Sequence, residues 1–180
     1  MSLSPPVLET ERLWLRHLSL GDLDDLAAIL TDPETMQYYR RPFTREEARE
    51  WILQNLHRYE TDGFGLWAVV SKETGEFLGD CGPVRRFVDD RDEVEIGWQV
   101  KRNHWRQGIA SEAGAGSRDY SFGTLGLTRV ISLIRPENIP SRGVAEKIGM
   151  AIEKEIDYKG MAHYVYVLER PSSGTGSGSR

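Results

Sequence analysis

The stretch Glu93–Ala113, EVEIGWQVKRNHWRQGIASEA, limits what this chain can become more than any other. Val94, Ile96, Trp98 and Val100 alternate with Glu93, Glu95, Gly97 and Gln99, the two-residue period of a strand with one apolar face. A polar turn carries Lys101, Arg102 and Asn103, and Arg106, Gln107, Gly108, Ile109 and Ala110 then run into Ser111, Glu112 and Ala113, which read as the start of a helix. A strand, a glycine-bearing loop and a helix start in that order make an anion site. The first N–H groups of the helix have no partner inside it, point outward, and sit at the positive end of the helix dipole. Gly108 and Ala110 carry little or no side chain, so a phosphate can approach the backbone, and two phosphates sharing one loop imply a cofactor with a pyrophosphate. The cluster Lys101, Arg102 and Arg106 is expected to face that anion.

Composition excludes several classes of function. At 180 residues the chain can bury one substantial core, and 39% hydrophobic with 28% charged residues belongs to a soluble globular protein. No run approaches the roughly 18 apolar residues of a membrane span, and MSLSPPVLE lacks the apolar segment of a signal peptide, so the expected location is the cytoplasm. A net charge of -5 argues against nucleic acid as the main partner. Cys81 is the single cysteine, which excludes an intrachain disulfide and points to a buried, idle thiol. His17, His57, His104 and His163 show no paired spacing, and no metal site is expected.

From the start, Arg12 to Leu18 reads as a strand, with Leu13 and Leu15 on one face. Ser19 with Asp22, and Thr44 with Glu47, are capping boxes before two amphipathic helices, the first stopped by Pro33 and the second by Gly63. The loop Tyr38, Tyr39, Arg40 and Arg41 between them is placed to line a pocket. Phe64 to Ser71 and Glu76 to Cys81 read as strands, and the densely charged Arg85 to Glu95 as a solvated hairpin loop. After the central helix, Arg129 to Arg135 reads as a buried strand, Asn138 to Ile148 as a helix ended by Gly149, and Ile156 and Tyr164 to Leu168 as two last strands around a turn at Lys159 and Gly160. Residues 1–170 form one expected domain, followed by a Gly/Ser-rich tail, 171–180, expected to be disordered.

These residues carry a resemblance. Glu11, Arg12, Leu13, Leu15 and Arg16, then Glu95, Ile96, Gly97 and Trp98, then Arg106 to Ala113, then Asn138, Ser141, Lys147, Gly149 and Met150 resemble, in order and separation, the GNAT superfamily of N-acetyltransferases and its RimJ/RimL-like branch. The resemblance implies a mixed α/β fold, a central sheet of about seven strands flanked by helices. It implies acetyl-CoA as co-substrate and a primary amine as acceptor, either a small molecule or a protein N-terminus. Trp98, Gln99, Val100, Arg106, Gln107, Gly108, Ile109, Ala110, Ser111, Asn138 and Ser141 would then contact the cofactor, in a monomer or a homodimer. The sequence departs from the family twice. Trp105 stands where the loop most often begins with Gln or Arg, and Ala145 stands where many members place a proton-donating tyrosine.

The implied chemistry requires the amine to lose a proton before it attacks. Glu95, on the face opposite Ile96 and Trp98, is the candidate base, with Glu93 in reserve; the competing reading of Glu95 is a structural carboxylate. A backbone N–H near Gln99 or Val100 is the candidate oxyanion donor. Ser141 is a candidate proton donor to the leaving thiolate and Asn138 a holder of the pantetheine arm, although both also suit helix capping. Ala145 keeps a second function class open, a non-catalytic acyl-CoA-binding or regulatory domain.

Overall fold

The computed structural model describes residues 5–171, so nearly all of the expected tail lies outside the described residues. One eight-stranded sheet carries the fold. Its strands are β1 (Pro6–Glu9), β2 (Leu13–His17), β3 (Trp67–Ser71), β4 (Phe77–Val88), β5 (Arg91–Val100), β6 (Arg129–Ile134), β7 (Ala151–Tyr158) and β8 (Met161–Glu169). The helices are α1 (Leu23–Leu30), α2 (Arg45–Thr61), α3 (Ile109–Gly123) and α4 (Ile139–Lys147). Strands lie in the order β1-β2-β3-β4-β5-β6-β8-β7, antiparallel throughout except for β5 and β6. Parallel neighbours need a crossover, and α3 supplies it.

Alternation along the strands divides the core between two layers. Leu13, Leu15, Trp67, Val69, Ile96 and Val130 pack with Ile109 and Ala113 of α3 and Ala145 of α4. Ala68, Val70 and Phe77 face the other way, against Leu26, Ile29 and Leu30 of α1 and Ala48 and Ile52 of α2. Both capping boxes form: Ser19 with Asp22 before a short 3-10 turn leading into α1, and Thr44 with Glu47 at α2. Despite Gly114 and Gly116, α3 runs unbroken, with Ile109, Ala113, Ser117 and Ser121 buried along it. No helix among the described residues is long and apolar enough to cross a membrane.

Two expectations are corrected. The sheet gains β1, whose Leu8 and Glu9 pair with Leu15 and Trp14 of β2, because the chain after Pro5 extends along β2 and lies over α3. Arg85 to Glu95 is not a loop: β4 and β5 continue through it and turn only at Asp89 and Asp90, whose φ values of 49° and 61° suit a two-residue hairpin. Its charges are used across the sheet, Arg86 pairing with Glu95 at 2.7 Å and Arg129 of β6 with Glu93 at 3.1 Å.

Gly79 sets how closely β4 and β5 approach beside the site described next. A methyl group there would sit 1.9 Å from the Gln99 carbonyl oxygen. Gly79→Ala is therefore expected to destabilise the fold by about 1–3 kcal/mol, measured by denaturant unfolding, because backbone must move to admit the added atom.

Candidate active site

Pairing with β4 continues along the whole of β5, from Arg91 to Val100, but β5 meets β6 at one register pair, Glu95 with Ile131. Ser132 closes the junction by donating its hydroxyl to the Ile96 carbonyl at 2.7 Å. Beyond it the two parallel strands diverge, so the segment from Gly97 to Val100 has a ladder partner on one edge only. The wedge lies at the carboxyl ends of β5 and β6, where α3 and α4 begin and where ligands settle in sheets with parallel strands. Trp98 reaches from β5 to the first turn of α4, its indole N–H donating to Ser141 Oγ at 3.3 Å. Asn138 caps that helix by accepting from the Ser141 N–H at 3.1 Å.

The protein's own contacts hold the loop into α3 in shape. Trp105 donates its indole N–H to the Val100 carbonyl at 2.8 Å, tying the loop to the end of β5. Arg106 and Gly108 both take left-handed backbone, φ 60° and 77°, a turn of the kind from which an anion nest can be built. Arg12 holds the outer side, donating to the Gln107 carbonyl at 3.0 Å and to Glu112 Oε2 at 2.6 Å. Partial burial works to raise the Glu112 carboxyl, but hydrogen bonds from Thr10 and from the Arg12 backbone and guanidinium outweigh it and hold the group below its usual range. The acid in the first turn of α3 is thus compensated.

The expected cation cluster is mostly occupied elsewhere. Lys101 pairs with Asp25 at 2.8 Å, and Arg102 with Glu34 at 2.7 Å. Arg106 has no carboxylate partner among the described residues and remains available beside the nest.

On the opposite face, toward α1 and α2, Gln99 donates to the Tyr39 hydroxyl at 2.6 Å, and Arg40 of the same loop bonds the Lys159 carbonyl in the β7–β8 turn. The aromatic loop therefore straps this face, tied to β5 and to the β7–β8 turn. Burial, then the negative charges of Glu95 and Asp80, push the Tyr39 hydroxyl above its usual range. Glu95 shares this face and is engaged by Arg86. Glu93 serves structure: Arg129 holds it and Glu153 together, joining β5, β6 and β7. Asp80, absent from the sequence reading, is fully buried on β4 directly across from Gln99. Its Oδ2 accepts from the Trp51 indole N–H at 2.8 Å, and Oδ1 has no partner. The signal that would have found it is a lone acid inside the apolar strand FLGDCG.

Comparison with known proteins decides the family. The family model of the acetyltransferase (GNAT) domain matches residues 12–151. The chain belongs to the GNAT acetyltransferase family. YkkB of Bacillus subtilis is 38% identical over 83% of this chain and 87% of its own length. The protein p20 of Bacillus licheniformis, named as an N-acetyltransferase, is 37% identical over 74% and 76%. Among solved structures, an acetyltransferase from Agrobacterium tumefaciens superposes with a TM-score of 0.81 at 27% identity, over 94% of this chain and 98% of that one. RimL, solved with coenzyme A, shares the fold at a TM-score of 0.72 and 17% identity, over 91% and 97%.

As a GNAT enzyme this protein is an acetyl-CoA-dependent N-acetyltransferase on one mixed sheet. Ala145, where the resemblance would place a tyrosine, is fully buried in the core, and the thiol of Cys81 is buried and pushed up to about 12 by that burial. Asp80 is the costly group. Burial pushes its carboxyl up to about 7, against the hydrogen bond from Trp51, which lowers it. A carboxyl raised in the folded state contributes its stability below the unfolded value and loses it as pH rises through the folded one. Asp80→Asn is therefore expected to raise the melting temperature at pH above about 8 more than at pH about 4, as read by scanning calorimetry.

Proposed function

We propose that this GNAT enzyme transfers the acetyl group of acetyl-CoA to a primary amine by direct attack in a ternary complex, and that it belongs to the RimJ/RimL-like branch, whose acceptors are protein N-terminal amines and small-molecule amines. The observation that carries the reading is the wedge between β5 and β6. It gives a thioester a way in from the α3 and α4 side and leaves carboxylates on the other face. The coenzyme A bound to RimL supports the donor. An Aspergillus fumigatus protein named FsC-acetyl coenzyme A-N(2)-transacetylase, 32% identical over 81% of this chain and 65% of its own length, supports an amine acceptor.

In this reading the backbone N–H groups from Gly108 to Ser111, with Arg106, hold the pyrophosphate, and Gln107, Ile109 and Ala110 shape the loop. Trp98 and Asn138 flank the pantetheine arm. A backbone N–H at Gln99 or Val100, on the edge that has no ladder partner, meets the developing oxyanion. An α-amino group with pKa about 8 or a lysine-like amine with pKa about 10.4 arrives protonated and has to lose a proton. Glu95 faces the acceptor side and draws in the ammonium. Ser141 accepts from Trp98, so its own hydroxyl proton is free to go to the departing thiolate.

Coenzyme A is expected to raise the melting temperature, by about 2.7 kcal/mol of stability at a hundredfold excess over Kd. Gly108→Glu is expected to abolish that gain, since it adds bulk and negative charge at a left-handed position. An unmoved wild-type melting temperature would sink the donor assignment. The acceptor is tested by thiol release with propylamine, spermidine and an alanyl tripeptide amide.

Ser141→Ala separates proton donation from packing. As a donor, Ser141 is lost at the expense of kcat with coenzyme A affinity unchanged. A variant with wild-type kcat removes it from the mechanism.

A further inference from the structure

We propose that Asp80 takes the proton from the acceptor ammonium, the amine reaching it by displacing the Tyr39 hydroxyl from Gln99. The inference deepens the proposed reaction and rests on it.

Placement favours Asp80 over the other carboxylate on this face. Asp80 and Gln99 are direct partners across β4 and β5, so Asp80 stands beside the backbone assigned to the oxyanion. Glu95 lies four residues earlier on β5, about 13 Å along the strand, with Oε2 engaged by Arg86. Asp80 Oδ2 is fixed by Trp51, while Oδ1 is buried, unpartnered and available to a single incoming donor. Such an orphaned acceptor is costly unless something fills it. The groups around Asp80 are Trp51 and Tyr59 of α2, Tyr39 of the strap, Cys81 along the strand and Gln99 opposite. No Lys, Arg or His of the described residues pairs with it, so a substrate ammonium is the first cation it meets. Tyr39, 39% exposed as a residue, covers the spot with its hydroxyl accepting from Gln99. Burial brings the carboxyl to about 7, near the operating range of a general base.

The protons balance. Asp80 as carboxylate takes one proton from the ammonium and becomes neutral. The freed amine nitrogen forms the N–C bond to the acetyl carbon, and the C–S bond breaks with its electron pair going to sulfur. The second proton leaves nitrogen for Ser141 as the Ser141 hydroxyl gives its own to the thiolate, so the amide and the free thiol result with Ser141 restored, and Asp80 returns its proton to solvent.

The test is thiol release with the same three amines from about pH 5.5 to 9.5. Asp80→Asn keeps the shape and the acceptor for Trp51, and it is expected to lower kcat at neutral pH by about 100-fold or more, to leave coenzyme A stabilisation intact, and to regain rate as pH rises. Trp51→Phe removes the hydrogen bond that lowers the Asp80 carboxyl, so the acid limb of kcat/KM is expected to move to higher pH. Asp80→Asn within about threefold of wild type across the range, or an unmoved limb in Trp51→Phe, overturns the assignment. A wild-type enzyme that binds coenzyme A and releases no thiol with any of the three amines overturns the acceptor class instead. In that case NMR of the Trp51 indole N–H, with no amine present, decides Asp80. A titration near neutral pH that disappears in Asp80→Asn supports an exchangeable proton there, and a flat signal overturns it.

Discussion

A parallel pair of strands that meets at one residue pair is the constraint on which this structure depends. Zipped along their length, β5 and β6 would use every backbone group between them and leave no entry. Diverging past Glu95 and Ile131, they expose the edge of β5 from Gly97 onward, and side chains rather than a ladder hold the opening in shape. Ser132 clamps the junction, Trp98 spans to α4, and Trp105 secures the end of β5. At the start of the loop, the Trp105 indole is spent on the Val100 carbonyl.

Electrostatics around the wedge are arranged by cancellation as much as by attraction. Arg12 compensates Glu112, the one acid in the first turn of α3, while Asp25 and Glu34 occupy Lys101 and Arg102. What remains for an anion is the nest and Arg106, directional groups whose strength comes from geometry more than from net charge. The face toward α1 and α2 has the opposite character, with Glu95 balanced by Arg86 and Asp80 held by the Trp51 indole but paired with no cation among the described residues. A fold that keeps such a carboxyl buried gives up stability at neutral pH, which is a common compromise at sites that must move a proton.

The sequence reading succeeded where physics is local. Gly108 between a strand and a helix start, the capping boxes at Ser19 and Thr44, and the alternation that puts Glu95 opposite Ile96 each depend on a few adjacent residues. It failed at Arg85 to Glu95, where charges of both signs looked like a solvated loop. Those charges are satisfied by Glu95 for Arg86 and by Arg129 for Glu93, and Arg129 sits on a strand that pairs with β5 only after a crossover. It also failed at Lys101 and Arg102, whose partners come from α1 and the loop after it.

By itself, then, the sequence determined the family, the mixed fold and the glycine loop that opens α3, because order and spacing encode contacts between near neighbours. The tertiary structure alone decided which charges are free and which are occupied, and it alone placed Asp80 across from Gln99 beneath Tyr39. Those outcomes depend on burial and on partners far apart in the chain. The free energy of an ionised group follows its surroundings, and those exist only once the sheet and helices have come together.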